Sequence, residues 1–274
     1  MQAFLQGWTP PAGTLARLVV EAEPRVAALL RERDRWARAA ADAPAVPSIA
    51  AALRRDDVAV IAEVKRCSPS RGAINPALAA ERQAAAYRAG GAAALSILTE
   101  PTHFGGTDED LRAARGAVAL PLLKKDFHVH PIQLVQARAL GASAALLIAR
   151  AVQPETLGLL IATARELKLE VLVEVRDEAE LERALEGGAA LVGVNNRDLE
   201  TLVVDRGVSA RLFPRIPAGI GAVFESGVAG PDDVREAASL GADAVLVGSA
   251  LSVAADPEGA VRSLTGIPRR ARRA

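Results

Sequence analysis

Apolar residues along this chain gather in short, nearly unbroken runs, and between the runs they recur at helical spacing. Runs of that length bounded by turn residues read as strands buried on both faces. One unit repeats: the end of a helix, Gly-Ala or Gly-Gly-Ala, then an apolar strand. It appears as A-G-G-A-A-A-L-S-I-L at 89–98, L-G-A-S-A-A-L-L-I at 140–148, G-G-A-A-L-V-G-V-N at 187–195 and L-G-A-D-A-V-L-V-G at 240–248. In each, glycine supplies the left-handed position that stops a helix before the chain turns into a strand. The glycines at 91, 141, 188 and 241 lie 50, 47 and 53 residues apart, about two strand–helix units per step. Each interval holds one further strand candidate: 119–124 (A-L-P-L-L-K), 170–175 (E-V-L-V-E-V) and 220–225 (I-G-A-V-F-E). With 58–64 placed first, the pattern predicts eight strands.

Helical signals fill the gaps. Asp177 is a good N-cap before E-A-E-L-E-R-A-L-E, and Pro231 stands at the start of D-D-V-R-E-A-A-S-L. Pro131 opens a helix running to Leu140, and Pro154-Glu155 opens one running to Leu167. Eight alternations of apolar strand and amphipathic helix predict an α/β fold, a closed parallel (βα)8 TIM barrel, rather than an open doubly wound sheet. An open sheet would more often carry G-x-G-x-x-G after its first strand, and none is present. Before the barrel, residues 15–40 read as helical with an interruption around Pro24, and 41–47 as a Pro/Ala linker. The expected organisation is an N-terminal helical extension and linker at 1–52, a barrel at 53–266, and a basic, solvated and disordered tail at 267–274.

Composition sharpens this in three ways. A chain of 274 residues suits one barrel with an extension. Its 33 basic residues balance 33 acidic ones, so there is no field to steer nucleic acid or an anionic membrane. Cys67 is the one cysteine, which excludes an intrachain disulfide and suits a reducing compartment. No signal peptide and no long apolar stretch is evident, so a soluble, cytoplasmic protein is expected.

In such a barrel the active site forms at the C-terminal ends of the strands. Those ends carry Glu63 and Lys65, Thr99-Glu100, Lys125 with Asp126-Phe127, Arg150, Glu174, Asn195 with Arg197, Glu225-Ser226 and Gly248-Ser249. Glu63 and Lys65 are two apart, so strand alternation puts them on one face. A single such pair reads as an ordinary strand-end salt bridge. A ring of Glu63, Lys65, Lys125, Glu174, Asn195 and Glu225 around one mouth reads as an active site. E-S-G at 225–227 and G-S at 248–249 follow strands seven and eight, the usual place for phosphate in these barrels. Three histidines include an H-x-H at 128–130, but no third ligand at metal-like spacing goes with it, so no metal site is expected.

From about 53 to 264 the chain resembles the indole-3-glycerol phosphate synthase family of tryptophan biosynthesis. The resemblance rests on I-A-E-V-K-R-C-S-P-S at 61–70, S-I-L-T-E at 96–100 with H-F-G-G at 103–106, and L-K-K-D-F at 123–127. It continues through L-V-E-V at 172–175, G-V-N-N-R-D-L-E-T-L at 193–202, E-S-G-V at 225–228 and V-G-S-A-L at 247–251. The family's monofunctional members also carry a helical extension before strand one. The resemblance implies a lyase that closes the ring of 1-(2-carboxyphenylamino)-1-deoxyribulose 5-phosphate to indole-3-glycerol phosphate, losing carbon dioxide and water.

By motif, it implies Lys125 as general acid and Glu174 as the group that moves the proton during dehydration. Glu63 and Lys65 complete the acid–base cluster, and Asn195 and Glu225 bind the ribulose hydroxyls. Ser68 and Arg197 touch substrate. Phe104, Phe127, Leu146 and Leu199 wall the anthranilate ring, and Ser226, Gly227, Gly248 and Ser249 hold the phosphate. It implies no cofactor, and a monomer associating at most weakly with other enzymes of the pathway.

Three positions depart from the family's habit: Cys67, where Lys or Ser is usual, His128, where an aliphatic residue is common, and Phe224, where a small residue is usual. By alternation Phe224 faces the helix layer. The N-terminal helix also lacks the Lys-Arg pair usual there. Phosphoribosylanthranilate isomerase, the nearest alternative barrel, expects Cys and Asp where this chain has Glu63 and Asn195. A non-catalytic phosphate-binding barrel would be expected to have lost a catalytic group, and none is lost.

Overall fold

Eight parallel strands form where the apolar runs lie, in a computed structural model that describes residues 13–70 and 72–272. They are β1 (Ala59–Val64), β2 (Ala94–Leu98), β3 (Leu122–Lys125), β4 (Ala144–Ile148), β5 (Glu170–Val175), β6 (Leu191–Asn195), β7 (Gly221–Glu225) and β8 (Ala244–Val247). Each pairs with its neighbours in sequence, and β8 returns to β1 through Ala59↔Ala244 to Ala62↔Val247, closing the barrel. The expected (βα)8 barrel is therefore the fold. The four repeat glycines take the left-handed conformation assigned to them, with φ of 95°, 83°, 83° and 86° at Gly91, Gly141, Gly188 and Gly241.

Alternation along these strands separates two cores. Ile61, Leu123, Leu146, Leu172, Val223 and Leu246 point inward and fill the barrel. Val60, Leu95, Leu147, Val173, Val192 and Val245 point outward against the helices. Phe224 belongs to the outer layer, its ring tilted against that of Phe213 at 6.2 Å between centroids, so its bulk is taken up between sheet and helices.

The helices on the outside follow their sequence signals. They are α4 (Ala80–Ala89), α5 (Asp108–Ala117), α6 (Pro131–Ala139), α7 (Pro154–Glu166), α8 (Glu178–Glu186), α9 (Gly207–Leu212), α10 (Pro231–Ser239), α11 (Ser249–Ser252) and α12 (Pro257–Arg262). Asp177 caps α8 by accepting the Glu180 amide. One strand starts later than the pattern suggests. Pro121 has no N–H to give a ladder, so β3 begins at Leu122 and ends on Lys125.

Before the barrel come α1 (Thr14–Arg31), α2 (Arg33–Asp42) and α3 (Ile49–Ala52). The expected interruption at Pro24 does not occur: α1 runs through it and breaks at Glu32 instead. Pro24 removes one helical N–H, but its missing partner, the Val20 carbonyl, belongs to an exposed residue. The buried stripe Leu15, Leu18, Val19, Ala22, Val26 and Leu29 continues on both sides of the proline, and its packing holds the helix together. α1 and α2 lie along α6, and Arg138 of α6 holds the linker by donating to the carbonyls of Ala43 and Pro44. At the barrel's N-terminal end, Glu170 accepts hydrogen bonds from Ser48, Ile49 and Ala50, which seats Ile49 and Leu53 in the interior.

The basic tail was expected to be solvated and disordered. Up to residue 272 it is instead fastened: Arg269 and Arg272 pair with Asp243, and Arg272 also donates to the carbonyls of Gly241 and Ile220. The Arg272 side chain is 6% exposed. Asp243 sits at the start of β8, where one carboxylate can gather two guanidiniums. Arg273 lies outside the described residues.

Candidate active site

The last inward-facing residue of a strand sits where the apolar interior ends and the mouth begins. In β1, β3, β5, β6 and β7 that residue is Glu63, Lys125, Glu174, Asn195 and Glu225. All five line one pocket of about 550 Å3, together with Lys65 just past β1.

Lys125 Nζ stands at the centre, 2.9 Å from Glu225, 3.7 Å from Glu174 and 3.9 Å from Glu63. Lys65 Nζ is 2.9 Å from the other oxygen of Glu63. Asn195 donates to Glu174 at 2.9 Å and accepts from Ser226 Oγ at 2.8 Å, linking the charged cluster to the turn after β7. Glycine makes the cluster possible at two inward positions. A Cβ at Gly193 would overlap Glu225 Oε1, and one at Gly248 would overlap Glu63 Oε1. Neither glycine has a positive φ, so space, not backbone freedom, requires them.

Three carboxylates and two ammoniums share this volume. Burial acts to discharge Lys125, but Glu225, Glu174 and Glu63 outweigh it and hold its pKa above the ordinary lysine value. Burial likewise opposes the charge on Glu63, and Lys65 and Lys125 reverse that, keeping its pKa low. Glu225 goes the other way. Burial, with Glu174 and Glu63 nearby, pushes it up to about 7 against the pull of Lys125.

At the far side of the pocket, the turn after β7 (Ser226, Gly227, Val228) faces the turn after β8 (Gly248, Ser249). β7 and β8 are neighbours, so both turns open into one volume. The helix that follows, α11, is a single short turn. Between the two ends the walls are apolar: Leu18, Leu98, Phe104, Phe127, Leu146, Ile148, Leu199 and Leu246. Phe104 and Phe127 lie 6.3 Å apart, centroid to centroid.

The pocket gathers every residue to which the family resemblance gives a role, including Ser68 and Arg197, but not Thr99 or Arg150. Arg197 also donates to the Leu202 carbonyl at 2.7 Å, which folds the loop after β6. Other polar strand ends serve the surroundings. Arg150 turns away to Glu180 and Asp177. Glu100 accepts the amides of Thr102, His103 and Phe104, and so shapes the loop that presents Phe104. His128 is buried, bonded through Nδ1 to the Leu146 carbonyl, and burial lowers its pKa to about 4, so it is a neutral tie between β3 and β4. Cys67 sits against Gly105.

Sequence reading missed several of the lining residues, Ile148, Leu18 and Arg206 among them. Ile148 was available from alternation, two residues past Leu146. Leu18 was not, because nothing in the sequence says which end of the barrel α1 crosses. Two pairs fix that placement: Glu21 with His103 at 2.6 Å, and Arg25 with Asp126 at 2.9 Å. Arg206 lies beside Gly227.

Fold and site together describe a (βα)8 barrel with a cluster of buried carboxylates and lysines at its C-terminal mouth, where barrel enzymes form their active sites. The family model for indole-3-glycerol phosphate synthase matches residues 15–264. Indole-3-glycerol phosphate synthase 2 of Streptomyces coelicolor is 46% identical over 257 residues, 93% of this chain and 100% of that protein. The corresponding synthase of a Nocardioides species is 52% identical over 208 residues, 76% of this chain and 80% of its own. Among solved structures, thiamine phosphate pyrophosphorylase from Pyrococcus furiosus shares the fold, with a TM-score of 0.59 at 18% identity over 77% of this chain and 95% of that one. The chain belongs to the indole-3-glycerol phosphate synthase family.

Proposed function

We propose that this lyase converts 1-(2-carboxyphenylamino)-1-deoxyribulose 5-phosphate to indole-3-glycerol phosphate with the cluster around Lys125 as its acid–base machinery. The observation that carries the reading is a single ammonium ringed by three buried carboxylates, across an apolar pocket from two glycine-bearing turns.

Ring closure joins the aromatic carbon that bears the carboxylate to the ketone carbon. As that bond forms, the ketone oxygen gains negative charge, and Lys125 donates a proton to it. The surrounding carboxylates keep Lys125 protonated in the resting site, so it meets the substrate as an acid. Carbon dioxide then leaves from the same aromatic carbon, and the electrons of the broken bond restore the ring. Loss of the new hydroxyl as water, with a proton taken by Glu174 from the adjacent carbon, completes the indole.

Glu63 and Lys65 support this cluster, with Lys65 placed to meet the substrate carboxylate. Asn195 and Glu225 bind the ribulose hydroxyls, and Ser68 and Arg197 add substrate contacts. Phe104, Phe127, Leu146 and Leu199 flank the aromatic ring. Ser226, Gly227, Gly248 and Ser249 take the phosphate, so binding energy at the unreactive end positions the reacting end against Lys125. The reading takes the enzyme to act as a cytoplasmic monomer, associating at most weakly with other enzymes of the pathway. Among the described residues, no helix is long and apolar enough to cross a membrane.

The test is turnover. Incubation with the carboxyphenylamino substrate is expected to yield indole fluorescence and one carbon dioxide per product. No product from folded protein would refute the reading.

A further inference from the structure

The turn after β7 contains two successive left-handed residues, Ser226 with φ of 66° and Gly227 with φ of 88°. Ser226 has a side chain, so this conformation persists only where the surroundings hold it. Two side chains from the loop after β6 do the holding. Asn196 Nδ2 donates to the Glu225 carbonyl at 3.0 Å and to the Ser226 carbonyl at 3.3 Å. Arg206 donates to the Gly227 carbonyl.

Both are themselves fixed. Ser209 donates through its amide at 3.2 Å and its hydroxyl at 2.7 Å to Asn196 Oδ1. Arg206 is clamped at 2.6 Å by Asp233 and at 2.6 Å by Glu236, both on α10.

The peptide bonds of this turn are trans. In a trans peptide the carbonyl and the following N–H point in opposite directions. Because the Ser226 and Gly227 carbonyls are drawn toward Asn196 and Arg206, the amides of Gly227 and Val228 point the other way. Both residues line the pocket. The charge of Arg206 is balanced by two carboxylates, so its effect on an anion runs through the turn.

We infer that Arg206, together with Asn196, is a positioning residue that aims the Gly227 and Val228 amides at a phosphate group. The inference rests on the phosphate end of the proposed function. Arg206→Met removes the donor at a side chain that is 36% exposed, so the fold should survive. Its KM for substrate and its inhibition constant for inorganic phosphate are expected to rise together, ~10-fold, with kcat changed less than about twofold. Arg206→Lys keeps one donor for the Gly227 carbonyl and is expected to recover most of the loss. Glu236→Gln frees part of the guanidinium charge and should not tighten phosphate; if it does, Arg206 is a direct ligand and the inference is overturned.

Calorimetric titration of parent and Arg206→Met with inorganic phosphate reads this without turnover. Parent protein that binds phosphate, with binding weakened in Arg206→Met, but forms no indole would sink the catalytic reading and leave the inference standing. Normal turnover with unchanged phosphate affinity in Arg206→Met would do the reverse.

Discussion

Gly193 occupies an inward position of β6 where a methyl group would overlap the Glu225 carboxylate. The atom it would meet is the end of a flexible side chain, so Gly193→Ala is expected to displace Glu225 from Lys125 rather than unfold the barrel. The melting temperature should change little while kcat falls by ~10–10²-fold, because under the proposed function Glu225 holds the substrate beside Lys125 and a displacement of about 1 Å costs much of that effect. Unchanged kcat would show that the Glu225–Lys125 contact is idle. At this scale much was legible. Period-2 alternation placed Glu63 and Lys65 on one face, and they are paired at 2.9 Å. Arg206 and Asn196 were not legible in their bridging role, because no spacing rule says which carbonyl on a neighbouring loop a long side chain will reach.

At the scale of elements, strands bounded by clear turn signals stand where the pattern put them, β5 at both ends. Errors came at prolines, one passed over inside a strand candidate and one read as a helix break. Pro121 delays β3, and Pro24 is carried inside α1 by packing on both sides of it. The adjacency of β7 and β8 has a functional consequence, since it sets two turns against one volume. Under the proposed function that volume takes the substrate phosphate, and a carboxylate placed there would repel it. Ser249→Asp is therefore expected to raise KM steeply, by at least ~10-fold, with far-UV circular dichroism unchanged and phosphate no longer competing. Substrate saturation like that of the parent would mean that the phosphate sits elsewhere.

Across the whole molecule, the two ends of the barrel have opposite tasks. At the N-terminal end, α3, anchored by Glu170, sends Ile49 into the interior, and the tail through Arg272 is fastened to Asp243. That end was the least legible, because a run of arginines in sequence looks the same whether solvated or gathered by one carboxylate. At the mouth, α1 crosses the pocket and its Leu18 joins the wall between the charged cluster and the two turns. The central claim is that Lys125 supplies the proton that this arrangement exists to deliver. The most direct measurement is the steady-state rate of indole formation by Lys125→Met, with folding checked by circular dichroism. The expected result is a kcat lower by ~10²–10⁴ with KM within a few-fold of the parent. Turnover near that of the parent would contradict the account.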